Sequence, residues 1–144
     1  MIESTNTTDG DDDVITSGSG ADIVIGGFGI DTLTGGDGDN IVFGDHGRLI
    51  GTQDAALAEV GRPISLVSLT TIDPTIGDDD IINTGLGRDI VLGGAGSDDI
   101  KANEGDGPAV FDASNIIAGD HAEITFHNPV SGTNFPSLVR SIDS

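Results

Sequence analysis

The chain has 144 residues, with 25 Asp or Glu against five Lys or Arg, a formal charge of −20, and no Cys, Trp or Tyr. That balance excludes nucleic acid and anionic lipid as partners, because both need protein cations to neutralise phosphate, and the lack of Cys excludes disulfides and Cys-based zinc sites. Five Phe are the only aromatics, so the core must be small and aliphatic, and clustered like charge leaves a chain that is disordered, halophilic or built to hold cations.

Residues 1–10 lack a charged-then-apolar signal pattern and no apolar run approaches the roughly 18 residues of a membrane span. No membrane insertion is expected, and the chain reads as a piece of a larger protein. From Thr8 the sequence falls into a nine-residue period: TDGDDDVIT, SGSGADIVI, GGFGIDTLT, GGDGDNIVF and GDHGRLIGT, ending at Thr52. Asp13, Asp22, Asp31 and Asn40 occupy the sixth column, while Leu49 stands where the last block would need Asp.

Between the arrays, Gln53–Val60 is expected to form two turns of helix and Ile64–Ile72 an extended segment. The period resumes at Thr75 as TIGDDDIIN, TGLGRDIVL and GGAGSDDIK, passes through an irregular ANEGDGPA, and closes with VFDASNIIA, placing Asp80, Asp89, Asp98 and Asn115 in the sixth column. A longer duplication overlies the short one. GDDD recurs at Gly10 and Gly77, NIVFGDHGRLI at Asn40 returns as NIIAGDHAEIT at Asn115, and Ser65-Leu66-Val67 with Ile72-Asp73 echoes Ser137-Leu138-Val139 with Ile142-Asp143. The expected organisation is an extension at 1–7, a first block at 8–52, a connector at 53–74, a second block at 75–125 and a connector-like segment at 126–144.

Glycines in columns one, two and four allow sharp bends, and the three apolar or β-branched residues that follow suit a short strand. Each nonapeptide is then a turn plus a strand, and two of them complete a coil, which gives an all-β parallel β-solenoid in two tandem blocks. Column eight points inward, so Ile15, Val24, Leu33, Val42, Ile82, Val91, Ile100 and Ile117 are the expected core. The outward pairs Ile23/Ile25, Ile41/Phe43 and Ile90/Leu92 give one sheet an oily outer face, expected to be covered by Thr52–Pro74 or by the neighbouring unit.

Calcium takes six to eight oxygen ligands, and Gly-rich turns with a sixth-column Asp supply carbonyls and charge together. Since consecutive nonapeptides lie on opposite edges, carboxylates should pair with the next block but one: Asp13 with Asp31, Asp22 with Asn40, Asp80 with Asp98, and Asp89 with Asp106. GGFGIDTLT and GGAGSDDIK resemble the G-G-x-G-x-D-x-U-x repeat of the repeats-in-toxin (RTX) calcium-binding family, and in-register recurrence extends the resemblance over about two-thirds of the chain.

The resemblance implies several calcium ions in the Gly/Asp-rich turns, a right-handed parallel β-roll and export by type I secretion to the cell exterior or surface. It also implies side-chain ligation by Asp13, Asp22, Asp31, Asp80, Asp89 and Asp98, with Asn40 and Asn115 at lower-charge positions. Gly18, Gly20, Gly27, Gly29, Gly36, Gly38, Gly85, Gly87, Gly94 and Gly96 would lie in the carbonyl-donating turns. Asp11, Asp12, Asp78 and Asp79 are secondary candidates. His46 and His121, in equivalent GDH motifs, are expected to cap or hydrogen-bond rather than catalyse, and neither His127 nor the Asn6-Thr7-Thr8 sequon carries a role.

No EF-hand, P-loop, dinucleotide or nucleophile-elbow motif is present. Acids repeated along an edge suit a row of ions better than one active centre, so no enzymatic activity is expected. The functions to weigh are a calcium-folded scaffold or adhesive stalk stacking on adjacent units and meeting a surface or polysaccharide, and a non-catalytic accessory region of a large extracellular enzyme.

Overall fold

The computed structural model describes residues 1–52, 65–102, 114–126 and 136–142. The helix expected at Gln53–Val60, and Asp106, His127 and Asp143, lie outside them. The described residues form strands and turns without a helix: β1 (Ile2–Glu3), β2 (Val14–Thr16), β3 (Ile23–Ile25), β4 (Thr32–Gly36), β5 (Ile41–Phe43), β6 (Gly47–Thr52), β7 (Ser65–Thr71), β8 (Ile81–Thr84), β9 (Ile90–Leu92), β10 (Asp99–Ala102), β11 (Ile116–Ala118), β12 (Ala122–Phe126) and β13 (Pro136–Ser141).

Successive nonapeptide strands alternate between two parallel sheets, one ordered β10-β8-β4-β2 and the other β11-β9-β5-β3. Between them Val24, Leu33, Val42, Ile82 and Val91 are buried, with Ile15 and Ile100 packed against them. These are seven of the eight expected core residues. Ile117 is the exception at 49 % exposure. It lies on the edge strand β11, and the facing sheet ends at β10, so no described strand covers it.

The second array does not start a new pair of sheets. Residue for residue, β4 pairs with β8 and β5 with β9, so both parallel sheets run unbroken through the point where the chain leaves for the connector. GDHGRLIGT, aligned above as a fifth nonapeptide, leaves the parallel sheets at this point, and Gly47–Thr52 becomes β6 of a third, antiparallel sheet ordered β1-β6-β7-β12-β13.

That third sheet covers the oily face. Ile41, Phe43, Ile90 and Leu92 from the middle sheet pack with Leu49, Leu66, Leu69, Ala122 and Ile124, so β5 and β9 are buried along their whole length. The covering strands come from both units, and from Gly47–Thr52 as well as the expected connector. The register also corrects the looser echo read between the connectors. Thr70 faces Arg48 as Arg140 faces Glu123, and the bulges at Ile50/Gly51 and Thr125/Phe126 match, so Ser68 corresponds to Leu138 and Ser65 does not correspond to Ser137.

A side chain with apolar neighbours on every side leaves a cavity when truncated, whereas an outward one on the far sheet does not. Phe43→Ala should therefore cost about 3–5 kcal/mol in denaturant unfolding of the calcium-loaded chain. Val14→Ala, at a position 81 % exposed, should stay within about 0.5 kcal/mol of the parent.

Candidate metal centre

The turns stack into two edges, each carrying a ladder of sixth-column side chains. On one edge the backbone N–H of Asp13 donates to Asp31 Oδ1 (2.8 Å), that of Asp31 to Asp80 Oδ1 (2.8 Å), and that of Asp80 to Asp98 Oδ1 (3.0 Å). On the other, Asp22 donates to Asn40 Oδ1 (3.1 Å), Asn40 to Asp89 Oδ1 (2.9 Å), and Asp89 to Asn115 Oδ1 (2.9 Å). The steps from Asp31 to Asp80 and from Asn40 to Asp89 span 49 residues instead of 18, because the connector loops out between them. The structure brings Asp89 to Asn115, across the irregular turn.

Each ladder bond uses only one carboxylate oxygen. Oδ2 of Asp22, Asp31, Asp80 and Asp98 is buried with no hydrogen-bond partner among the described residues. Burying a carboxylate oxygen without a partner is expensive enough that it signals a missing counter-charge or a proton.

The surroundings of these oxygens supply more oxygen. A Cβ on Gly26 would overlap Asp31 Oδ2 and the Gly44 carbonyl; one on Gly44, Asp80 Oδ2 and the Gly93 carbonyl; one on Gly93, Asp98 Oδ2 and the Gly119 carbonyl. Three equivalent cradles thus follow one another along the edge, each pairing a bare carboxylate oxygen with a backbone carbonyl. Sequence reasoning placed the carbonyl-bearing glycines in columns two and four. The cradles instead form at the first-column glycines Gly26, Gly44 and Gly93.

Among the described residues no three His, Cys, Asp or Glu side chains converge on one point. The donors are single carboxylates mixed with carbonyls, an all-oxygen set that suits a hard cation and not zinc or copper.

The second edge differs at Asn40. Its Nδ2 donates to the carbonyls of Gly36 and Gly38, both at 2.9 Å, while Oδ1 accepts from Asp22. The amide therefore places its own positive end against carbonyls expected to face an ion. Asn115 Nδ2 likewise donates to the Ala102 carbonyl at 3.3 Å.

Of the other expected turn residues, Gly18, Gly20, Gly27, Gly29, Gly36, Gly38, Gly87, Gly94 and Gly96 adopt positive φ, and Gly85 does not. Gly85 is needed for space instead, since a Cβ there would meet the Asp37 side chain and the Gly36 backbone. Asp12 and Asp79 accept the turn N–H groups of Ile30 and Ser97, at 2.9 and 2.7 Å.

His46 is 3 % exposed, and its Nε2 lies 2.9 Å from the Thr7 carbonyl. Since a carbonyl only accepts, Nε2 carries the proton and ties the N-terminal segment to the first GDH corner. Its neighbour Asp45, absent from the expected set, is 2 % exposed and receives the N–H groups of Asp78 and Ala95. The signal was on the page: Asp recurs in both GDH motifs as faithfully as His.

Desolvation pushes Asp80 up to about 7 and Asp45 up to about 8, with neighbouring carboxylates adding to the rise. Asp31 and Asp98 are raised by the same burial. An acid whose folded pKa is raised holds its proton longer in the fold than in the open chain, so its contribution is full below 3.8 and is lost as pH climbs through 7 to 8. In chelator, circular dichroism should therefore show strand signal gained as pH is lowered from about 8.5 to about 5.5, and saturating calcium should abolish that pH dependence.

A family model described as RTX calcium-binding nonapeptide repeat (4 copies) matches residues 7–33, 16–48 and 75–107. No curated protein and no solved structure matches the chain. The matched stretches contain the Asp13, Asp31, Asp80 and Asp98 ladder and its first-column glycines, and together exceed half of the sequence. The chain belongs to the RTX calcium-binding nonapeptide repeat family.

Proposed function

We propose that the chain is a non-catalytic calcium-binding structural module of an exported repeat protein. It folds into a right-handed parallel β-roll as calcium enters the turns, and serves as a scaffold or adhesive stalk. The observation that carries this reading is the row of bare, buried Oδ2 atoms at Asp31, Asp80 and Asp98, each beside the carbonyl of a stacked glycine.

The ligands on that edge are Asp31, Asp80 and Asp98 with the carbonyls of Gly44, Gly93 and Gly119, and Asp13 closes its near end; Asp22 and Asp89 are the carboxylates of the other edge. Calcium supplies positive charge in the turns and draws carbonyls and carboxylates of adjacent coils together. Without it, a chain of charge −20 holds its carboxylates apart by repulsion. Binding free energy then becomes folding free energy, and the module can cross a secretion channel unfolded and fold where calcium is plentiful. The amide of Asn40 stands in for an ion in its own turn, so the two edges take up different numbers of ions.

The scaffold role is favoured by the way the units add. Each contributes two strands to each parallel sheet and a hairpin of two strands to the antiparallel sheet, namely β6-β7 and then β12-β13. All three layers advance by the same number of strands, the condition for a rod that extends without shear.

Calorimetric titration of the full chain with calcium, followed in parallel by far-ultraviolet circular dichroism, tests the reading. Cooperative uptake with strand formation is expected, and a strand-rich spectrum in excess chelator at about pH 8.5, where the raised carboxyls are ionised, would sink it. Asp80→Asn keeps the ladder acceptor but removes the bare oxygen, so it should lower the ion count by one. Asn40→Asp should raise the count by one.

A further inference from the structure

The chain contains one complete joint between its two repeat units. In it β8 adds to β4, β9 to β5 and β12 to β7. Asp45, at the corner where the first unit leaves the parallel sheets, enters the second unit: Oδ1 accepts from the Asp78 N–H at 3.3 Å and Oδ2 from the Ala95 N–H. A Cβ on Gly77 or Gly94 would overlap that carboxylate, so glycine at both positions makes the socket.

By the duplication, Gly77-Asp78 corresponds to Gly10-Asp11, Gly94-Ala95 to Gly27-Phe28, and Asp45 to Asp120. At the near end of the molecule Gly10, Gly27 and Phe28, with Asp9, Asp13 and His46, line an open pocket of about 300 Å³, and a Cβ on Gly27 would meet nothing within 4 Å. At the far end Gly119 and Asp120 are exposed, and a Cβ on Gly119 would also meet nothing within 4 Å. The counterpart of the filled socket is thus part of an open pocket at one end, and the counterpart of the peg stands exposed at the other.

The third sheet carries the same signature. Ile2–Glu3 lie against Leu49–Arg48 of β6 in the register that Leu69–Thr70 keep against Ile124–Glu123 of β12. Ser4 Oγ accepts the Gly47 N–H at 3.1 Å as Thr71 Oγ1 accepts the Ala122 N–H at 3.0 Å. Among the described residues, Asn6 and Asp73 are the non-glycine residues with positive φ. The N-terminal segment therefore occupies the place of a preceding unit's last strand, with only two paired residues.

We propose that the near-end pocket is the receptor for the Gly119-Asp120-His121 corner of a second copy of this chain, so that calcium-loaded molecules associate head to tail. In the joint β10 and β11 of one copy continue into β2 and β3 of the next, and β13 takes the β6 edge from β1. The contact uses different surfaces on the two partners, so it grows into open chains rather than closing as a symmetric dimer. It needs calcium, because Asp120 enters beside Asp9 and Asp13. The exchange sets Arg140 opposite Arg48, whereas in the internal joint the residue matching Arg48 is Glu123, and that charge conflict holds association in check.

The proposal rests on the calcium-folded roll, and sedimentation of the full chain with circular dichroism on the same samples separates the two. In calcium, mass should rise with concentration. Asp120→Ala, an exposed change, should leave the folded spectrum intact and hold the chain monomeric. Arg48→Glu repels Glu3 of β1 and attracts Arg140 of the incoming copy, so it should tighten association by about fivefold. A chain folded in calcium that stays monomeric at every concentration, with or without Arg48→Glu, overturns the joint and leaves the roll standing, as does association that Asp120→Ala leaves unchanged. A chain that calcium does not fold removes both.

Discussion

A sixth-column carboxylate accepts the backbone N–H of the preceding coil with one oxygen and buries the other beside a glycine carbonyl. The rest of the protein depends on that division of labour. The ladder half works in any conditions and fixes the spacing between coils. The buried half is a liability in a region that raises Asp80 and Asp45 toward neutrality, and it is relieved only by a proton or a cation. The same geometry that aligns the coils thus makes their stability depend on what fills the turns. It also explains the first-column glycines, since Gly26, Gly44 and Gly93 keep a side chain out of each cradle.

The middle sheet turns that edge chemistry into a body. A roll of two thin sheets has room for one line of inward residues per sheet, here Leu33 and Ile82 from one and Val24, Val42 and Val91 from the other, a core too small to carry much stability alone. By making the outward residues of β5 and β9 apolar as well, the sequence buries the middle sheet on both faces, and the antiparallel hairpins supply the second core. Strands in parallel and antiparallel sheets are spaced alike, at about 4.8 Å. Two roll strands per sheet and one hairpin therefore cover the same length of axis, and the units stack without a growing mismatch.

Where the chain departs from the roll, it replaces lost turn contacts with side chains. Asp45 leaves the second column of an ordinary turn yet receives the N–H groups of Asp78 and Ala95, so the coils on either side remain joined through the excursion. Asn40 solves a related problem, bringing an amide donor to the Gly36 and Gly38 carbonyls. Aspartate and asparagine are nearly isosteric, and in this setting the exchange of one oxygen for an amino group converts a turn that wants a cation into one that satisfies itself.

The sequence alone determined the strands, the inward residues and the sixth-column acids, because a nine-residue period imposes the same local geometry wherever it recurs. It also announced the oily face through Ile41/Phe43 and Ile90/Leu92, since outward apolar pairs require a cover. It could not decide that β8 would continue from β4, that GDHGRLIGT would leave the parallel sheets, or that Asp89 would meet Asn115, because those depend on where the chain returns after an excursion and no local period reports that. The recurrence of Asp45 in the GDH motif was legible, but its partners were not, for the same reason: they lie 33 and 50 residues away, across a joint that exists only once the two units are stacked. Repetition writes local structure into sequence, whereas the closure of long loops and the fate of a buried charge are settled only when distant segments come to share one environment.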